Sequence, residues 1–170
     1  MTRYRGRVAT VHLVYGPVGA GKTTYGRALA AERGAVFFCL DEWMATLFLM
    51  DAPSPITLDW ALPRTERCEA QIWAVARQVL ARGIDVILEL GFFTRDQRAR
   101  LRDLVAAAGS PIEVHVLEVP QDVRRERVRA RNRGSATLTV EVEDAMFDWA
   151  EGYYEPPAGD ELAGARVIRA

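Results

Sequence analysis

The residues with the clearest chemical signature form one glycine-rich segment near the start of the sequence: Gly16, Pro17, Val18, Gly19, Ala20, Gly21, Lys22 and Thr23. The segment matches the pattern G-x-x-x-x-G-K-[ST], in which glycines let the backbone curl so that its N–H groups point at an anion. A polyphosphate is the natural ligand of such a loop. We therefore expect Lys22 to bind the β- and γ-phosphates of ATP and the Thr23 hydroxyl to bind the accompanying Mg²⁺, in a nucleotide-binding segment that extends to Thr24.

This loop requires a strand before it and a helix after it, and the sequence offers both. Residues 9–15 form a short apolar run that predicts a buried strand, and residues 24–33 predict a helix that Gly34 ends. The amino terminus of that helix adds the positive end of its dipole to the anion site. Because fixed positions and flanking elements agree, a fortuitous glycine-rich turn is the weaker interpretation.

Two carboxylates are candidates for chemistry beside the loop. Residues 36–40 predict a second strand that ends on Asp41, and residues 85–90 predict a third strand that contains Glu89. Strands that alternate with helices form a parallel sheet, so the carboxyl ends of these strands meet at one rim. Asp41 is then a general base for a substrate hydroxyl, a helix cap or a surface charge. Glu89 holds Mg²⁺ through water, orients the attacking group or faces solvent.

The segment after Asp41 is expected to form the substrate side of the site. Trp43 lies in a largely apolar stretch and is a candidate substrate contact. Residues 50–63 carry three prolines and little periodicity, which predicts a loop that covers the site. Thr65 is expected to cap the next helix, which runs to about residue 82.

An arginine-rich helix is predicted at residues 121–132. Three of its arginines fall at i, i+3 and i+7 and so share one face: Arg124, Arg127 and Arg131. Glu126 is the only acidic partner in the interior of this helix. The uncompensated charge favours a mobile lid, at about residues 120–138, whose Arg127 and Arg131 close on the transferring phosphoryl group. The alternative is a solvated helix face.

The helix after the third strand begins with a capping box, in which Thr94 is the N-cap and Gln97 occupies the third helical position. Arg95 and Arg98 belong to the first turn of this helix and are expected to lie near the rim where the strands end. They either steer an anionic substrate or are ordinary surface residues of the helix.

The remaining segments complete an alternating pattern. Residues 112–119 predict a fourth strand whose alternating polar positions indicate a less covered face or a sheet edge. Thr139 is expected to cap a last helix, and residues 166–168 predict a brief strand. One apolar face of that last helix is expected to pack in the core: Val142, Ala145, Met146, Trp149 and Tyr153.

Bulk composition describes an ordinary globular chain. The 170 residues are 49% hydrophobic and 26% charged, with a net charge of −1, which predicts one domain over residues 1–170 and gives no general attraction to nucleic acid. We find no membrane span or signal peptide and expect a cytoplasmic location, with both cysteines reduced. The histidines, His12 and His115, are expected to be packed or solvated residues, and the sequence indicates no metal cluster.

Taken together, the motif segments resemble those of the small P-loop kinases, whose wider relatives include chloramphenicol phosphotransferase, gluconate kinase, 5′-hydroxyl polynucleotide kinases and zeta toxins. The segments that carry the resemblance are residues 16–23, Asp41, residues 91–98, residues 127–132 and residues 155–157. The resemblance covers nearly the whole chain. It implies a P-loop NTPase of three layers, α/β/α, with a five-stranded parallel sheet in the order 2-3-1-4-5, and with ATP and Mg²⁺ as ligands. The sequence departs from the family at Glu89, where many relatives carry aspartate.

The expected function is transfer of the γ-phosphoryl group of ATP to a hydroxyl group of a small molecule. In this hypothesis Lys22 and Thr23 act on phosphate and metal, Asp41 is the base, and Arg127 with Arg131 forms the clamp. One alternative is a 5′-hydroxyl nucleic-acid kinase, which requires a basic track with exposed aromatic residues. Another is a nucleotide-gated switch that hydrolyses ATP for a protein partner.

Overall fold

The strands of the computed structural model, which describes residues 8–134 and 141–169, form one parallel sheet in the order β2-β3-β1-β4-β5. The strands are β1 (Val11–Tyr15), β2 (Val36–Cys39), β3 (Val86–Glu89), β4 (Ile112–Glu118) and β5 (Arg166–Arg169). The helices are α1 (Lys22–Arg33), α2 (Leu40–Phe48), α3 (Leu58–Leu80), α4 (Arg95–Ala107), α5 (Gln121–Arg133) and α6 (Asp144–Tyr153). The fold class and the strand order implied by the resemblance are confirmed.

Strand β1 lies at the centre of the sheet, and its register aligns the carboxyl ends of its neighbours. Val11 is level with Val86 of β3 on one side and with Ile112 of β4 on the other. One face of the sheet packs against α3 through Ile72 and its neighbours, and the other packs against α1 through Leu29. Strand β4 pairs with β1 and with β5, so the sheet edge, one of the two alternatives for residues 112–119, was wrong.

Helix α3 begins earlier than its sequence indicates. Thr57, not Thr65, is its N-cap and accepts a hydrogen bond from the Trp60 N–H, and Pro63 lies inside the helix. A proline inside a helix costs about 3 kcal/mol because it removes one hydrogen bond and crowds the preceding turn. Burial of the inner face of α3, which includes Ile72 and Trp73, offsets that cost. The predicted loop at residues 50–63 is therefore reduced to residues 52–57, after a 3₁₀ turn at Leu49–Asp51.

Helix α6 buries a different face from the one predicted. Its buried residues are Phe147 and Ala150, whereas Met146, Trp149 and Tyr153 are 40%, 48% and 44% exposed. The reason is that α6 packs against the arginines of α5, which the apolar pattern of one helix does not encode. Thr139, its expected cap, lies outside the described residues, as does the end of the predicted lid. No helix in the described ranges is long and apolar enough to cross a membrane.

Candidate nucleotide-binding site

The glycine-rich loop joins the carboxyl end of β1 to the amino terminus of α1. Gly19 and Gly21 have φ angles of 77° and 88°, in the left-handed region that favours glycine. A Cβ atom on Gly19 would lie 2.7 Å from the carbonyl oxygen of Arg124, so α5 can pack this closely only against a glycine. The predicted strand, loop and helix are therefore present in the required order, and α5 lies directly against the loop.

Lys22 and Thr23 lie in the first turn of α1. The Lys22 side chain contacts the loop, and the Thr23 side chain contacts the end of β3. The Lys22 ammonium group donates a hydrogen bond of 3.0 Å to the Pro17 carbonyl oxygen, which lies within the loop. The Thr23 hydroxyl donates a hydrogen bond of 2.9 Å to Glu89 at the end of β3. Because this bond uses the hydroxyl hydrogen, the Thr23 oxygen keeps its lone pairs for a cation.

Glu89 is a buried carboxylate, only 4% exposed, at the rim next to the loop. Burial raises the pKa of the Glu89 carboxyl, the Lys22 ammonium opposes that rise, and the negative charge of Asp41 adds to it. The three charged side chains thus form one electrostatic cluster. A hydroxyl and a carboxylate oxygen are ligands that suit Mg²⁺, so the donor set fits the ion that accompanies ATP.

Asp41 is exposed and lies in the first turn of α2, where an acidic residue also stabilises the helix. The base and the helix-end interpretations of Asp41 are therefore both compatible with its position. Trp43, two residues later, is half-buried against the core that α3 shares with the sheet. The sequence analysis missed a neighbouring group: the Arg64 guanidinium stacks on the Trp60 ring with 4.3 Å between its central carbon and the ring centroid.

Arg124 is the arginine of α5 that contacts the loop, and the sequence analysis named it only as a member of the arginine face, with no role in the site. Its guanidinium is buried and donates to the carbonyl oxygens of Val18 and Val119 at 3.0 and 2.9 Å. It also forms a two-pronged ion pair with Glu151 of α6, with both bonds at 2.6 Å. A helical spacing of acidic residues in α6 was the signal that could have indicated this contact: Asp144, Asp148 and Glu151.

The positive charge of α5 is largely compensated, which corrects one premise of the lid hypothesis. Arg125 pairs with Asp148, and Arg129 pairs with Asp144 at 2.8 Å. Arg127 and Arg131 are exposed, and neither forms an ion pair with the parts of the chain that the structure describes. These two arginines remain available to an anion.

Arg98 is fully buried, so the hypothesis that it steers a substrate was wrong. Its guanidinium binds both carboxylate oxygens of Glu161, at 2.6 and 3.0 Å, and donates to the carbonyl oxygen of Glu155 at 2.9 Å. This pair fastens α4 to the chain that leads into β5. Arg95 is exposed, and its side chain pairs with Asp160.

We expect Arg98→Met to lower the free energy of unfolding by about 3–5 kcal/mol, because Glu161 is left as a buried unpaired charge. Urea denaturation measures the loss, and Arg100→Met, an exposed change on the same helix, is the control. The Arg98 hydrogen bonds hold the pKa of Glu161 below its ordinary value. The pair therefore contributes stability above the unfolded-state pKa of Glu161, and this contribution is lost as the pH falls through the folded-state pKa. Equal free energies of unfolding for Arg98→Met and Arg100→Met would contradict a structural role for Arg98.

A cleft of about 790 Å³ opens on the other side of the loop from Asp41 and Glu89. Pro17 of the loop, Arg124 and the end of β4 line the cleft, together with Tyr154, Pro156 and Pro157. The carboxylates lie toward β2 and β3, and the cleft lies toward β4 and β5, so the loop separates two distinct spaces.

The fold and the loop together define a P-loop nucleotide-binding protein with a kinase-like fold. The profile of the family described as AAA domain matches residues 11–157, and the chain belongs to that family. No curated protein gives a significant match.

Solved structures with the same fold include several kinases. A candidate kinase from Chloroflexus aurantiacus J-10-fl is 18% identical with a TM-score of 0.72, over 96% of this chain and 89% of that chain. Kti12 from Chaetomium thermophilum, in complex with ADP-AlF3, is 21% identical with a TM-score of 0.68, over 94% and 88%. A gluconokinase from Sinorhizobium meliloti 1021 is 20% identical with a TM-score of 0.59, over 97% and 84%. At this identity the likeness establishes the fold.

Proposed function

We propose that this protein is an ATP-dependent kinase that transfers the γ-phosphoryl group of ATP to a hydroxyl group of a small molecule. The observation that carries the proposal is the cluster of Lys22, Thr23 and Glu89 at the loop, with the exposed carboxylate of Asp41 beside it. The solved gluconokinase and sugar kinase with the same fold add support.

In the proposed reaction the acceptor oxygen attacks the γ-phosphorus, and the bond from that phosphorus to the oxygen bridging it to the β-phosphate breaks. Asp41 takes the proton of the acceptor hydroxyl, and ADP leaves with the electron pair of the broken bond. Lys22 and the loop N–H groups bind the β- and γ-phosphates. The acceptor approaches from the β2 and β3 side, where Asp41 and Trp43 lie.

Thr23 and Glu89 would hold Mg²⁺, Thr23 through its hydroxyl and Glu89 through a bound water. When bound, the ion neutralises charge on the β- and γ-phosphates. Glu89 is well suited to this role because it already accepts the Thr23 hydrogen and so orients the Thr23 oxygen.

The cleft beside Pro17 is the proposed site of the nucleoside. It adjoins the loop on the side away from Asp41, so a nucleotide whose phosphates occupy the loop can place its base there. Arg124 joins the loop to Glu151, and both side chains line this space with Tyr154. Apolar walls with a few polar groups are typical of small-molecule sites.

Arg127 and Arg131 are the proposed clamp on the transferring group. We expect Arg127→Glu or Arg131→Glu to lower kcat by roughly 10–100-fold and to weaken ATP binding much less, because the clamp acts mainly in the transition state. Steady-state kinetics and calorimetry separate the two effects. Arg133→Glu, which changes an exposed arginine of the same helix that pairs with Glu126, is the control. Unchanged kcat in both Arg127→Glu and Arg131→Glu would contradict the clamp and favour the interpretation of α5 as a solvated face.

A phosphate-transfer screen tests the proposed function. Labelled ATP is offered with nucleosides, sugars, aminoglycosides, chloramphenicol-like alcohols and oligonucleotides, and the labelled product is separated from free phosphate. Transfer to a small alcohol supports the proposal. ATP turnover without transfer to any acceptor would overturn it in favour of a nucleotide-gated switch.

One observation favours a nucleic-acid end as a second candidate acceptor. Trp149 and Tyr153 stack on each other at the surface, with ring centroids 5.1 Å apart, and Tyr153 also contacts Phe93 just after β3. Exposed aromatic rings on which bases can stack are typical of single-stranded nucleic-acid binding. Filter binding of oligonucleotides at low and moderate salt distinguishes the candidates, since only a nucleic-acid kinase would bind them with a steep salt dependence.

A further inference from the structure

Two buried histidines meet on neighbouring strands, away from the nucleotide-binding loop. His12 of β1 and His115 of β4 are 0% and 1% exposed, and both lie on the face of the sheet that α1 covers. The distance from His12 Nδ1 to His115 Nε2 is 3.0 Å. The sequence separates these residues by about a hundred positions, so the pair exists only because β4 lies beside β1.

The hydrogen bonds around the pair leave one nitrogen atom unused. His115 Nδ1 lies 2.8 Å from the Tyr25 hydroxyl of α1, so both nitrogens of His115 have partners. His12 Nε2 is buried and has no hydrogen-bond partner among the described residues. Asp85 Oδ2 lies 3.8 Å from this nitrogen. Buried polar atoms ordinarily have hydrogen-bond partners, so His12 Nε2 is an exception.

Glu113 adds a third donor on the same side of the same two strands. It is level with His12 in the sheet and two residues before His115, so the three side chains project together. Glu113 Oε2 lies 3.4 Å from His12 Nδ1, and one donor atom from each of the three residues falls within 4.8 Å of the others. Donors bound to one tetrahedral zinc ion lie about 3.3 Å apart, because each bond is about 2.0–2.1 Å.

We propose that His12, Glu113 and His115 bind a divalent transition-metal ion of the zinc class. Two imidazoles and one carboxylate form a set that zinc accepts, with a water molecule as the fourth ligand. Glu113 is half-exposed and gives the ion a path from solvent to the buried histidines. The site would tie β1 to β4 beneath α1, and it is independent of the proposed kinase reaction.

The surroundings make one of the outer contacts that metal-bound histidines require and place a carboxylate 3.8 Å from the other nitrogen. Each ligating imidazole normally passes its other N–H group to a carboxylate, carbonyl or hydroxyl group. Tyr25 is in place for His115 Nδ1, and Asp85 is the carboxylate that faces His12 Nε2. With an ion on Nε2, the hydrogen of the neutral His115 ring would lie on Nδ1, where the Tyr25 hydroxyl accepts it.

Burial and neighbouring charges shift the pKa values of the two histidines. Burial lowers the pKa of His115 to about 4 and lowers the pKa of His12. Glu113 and Asp85 oppose this shift at His12, and Arg33 adds to it; at His115, Glu113 opposes it, while Arg33 and Arg166 add to it. Arg33 also lies 3.9 Å from Glu113 and would turn away when the carboxylate binds an ion.

The test uses Co²⁺ as a spectroscopic probe of the whole protein in excess Mg²⁺, which occupies oxygen-ligand sites. We expect one Co²⁺ per chain with the strong visible bands of four-coordinate cobalt, and displacement by Zn²⁺. Glu113→Gln should weaken binding by at least about 100-fold, and Tyr25→Phe by about 10–100-fold, as for the loss of an outer partner. Glu113 is half-exposed, so its variant keeps the fold even if a histidine variant does not.

Glu118→Gln is the matched control for metal binding, because Glu118 lies on the same strand with similar exposure. It should bind Co²⁺ like the unmodified protein. Absence of four-coordinate bands in the unmodified protein would overturn the proposal and leave a hydrogen-bonded histidine pair. Equal binding by the Glu113→Gln and Glu118→Gln variants would also overturn it, since the ion would then lie elsewhere.

Discussion

Lys22→Ala is expected to abolish productive ATP binding and to lower turnover by at least about 10²–10³-fold. The Lys22 ammonium group lies 3.0 Å from the Pro17 carbonyl oxygen, so it is held over the loop that receives the phosphates. It is the only lysine of the chain, and it begins α1 directly after the loop. Calorimetry with ATP·Mg²⁺ and a turnover assay measure the two losses.

Arg27→Ala is the matched control for Lys22, because it also removes a cation from α1 but lies in an exposed pair with Glu42. It should leave ATP affinity unchanged. Since Lys22 is unique, an amine-reactive reagent followed by peptide mapping offers an independent measurement. ATP·Mg²⁺ should protect Lys22 from modification. Unchanged ATP affinity in Lys22→Ala, together with no protection of Lys22 by ATP·Mg²⁺, would contradict the assignment of the glycine-rich loop as the phosphate-binding loop.

The sequence predicted the features that depend on short stretches of chain. The loop pattern fixes the order of strand, loop and helix, and the Thr94–Gln97 capping box is present at the start of α4. The contact between Thr23 and Glu89 also follows from local patterns. Alternation of strands and helices dictates a parallel sheet, in which the carboxyl ends of the strands meet at one rim. Lys22, Thr23 and Glu89 could therefore be singled out before the structure was known.

Contacts between distant segments could not be predicted in the same way. Arg98 has the spacing of a surface residue in a first turn, and it is buried because Glu161, sixty-three positions away, lies opposite it. Arg124 looks like one member of a charged face until Glu151 of α6 pairs with it. In both cases the partner, not the helix, decides whether the arginine is solvated. His12 and His115 are a third case, since only strand pairing makes them neighbours.

Predictions from local sequence patterns were also wrong where tertiary packing has the larger effect on the free energy. Three prolines predicted a loop over residues 50–63, yet α3 includes Pro63 because a long helix with a buried face tolerates one lost hydrogen bond. The apolar stripe of α6 predicted a buried face, yet Phe147 is the buried aromatic residue because the Arg125 guanidinium lies 4.5 Å from its ring centroid. Helix periodicity identifies an apolar stripe but not the neighbour that covers it.

Asp41→Asn is expected to lower phosphoryl transfer to the acceptor by about 10²–10⁴-fold, which is the typical loss for a general base. Asparagine keeps the size and hydrogen bonding of the side chain while removing the charge that accepts the proton. ATP binding should stay nearly normal, because the loop, Lys22 and Thr23 are unchanged. Background hydrolysis should change much less than transfer, since the loop and the metal support slow loss of phosphate to water without this base.

Asp59→Asn separates catalysis from helix stabilisation, because Asp59 is likewise an exposed acid in the first turn of a helix, α3. Both substitutions should lower the free energy of unfolding by about 0.3–1 kcal/mol through the helix dipole, but only Asp41→Asn should lower transfer. A parallel fall of transfer and hydrolysis in Asp41→Asn would make Asp41 a metal-binding or structural residue. If neither rate fell, Glu89 would become the leading candidate for the base, since burial raises its pKa and so strengthens it as a proton acceptor.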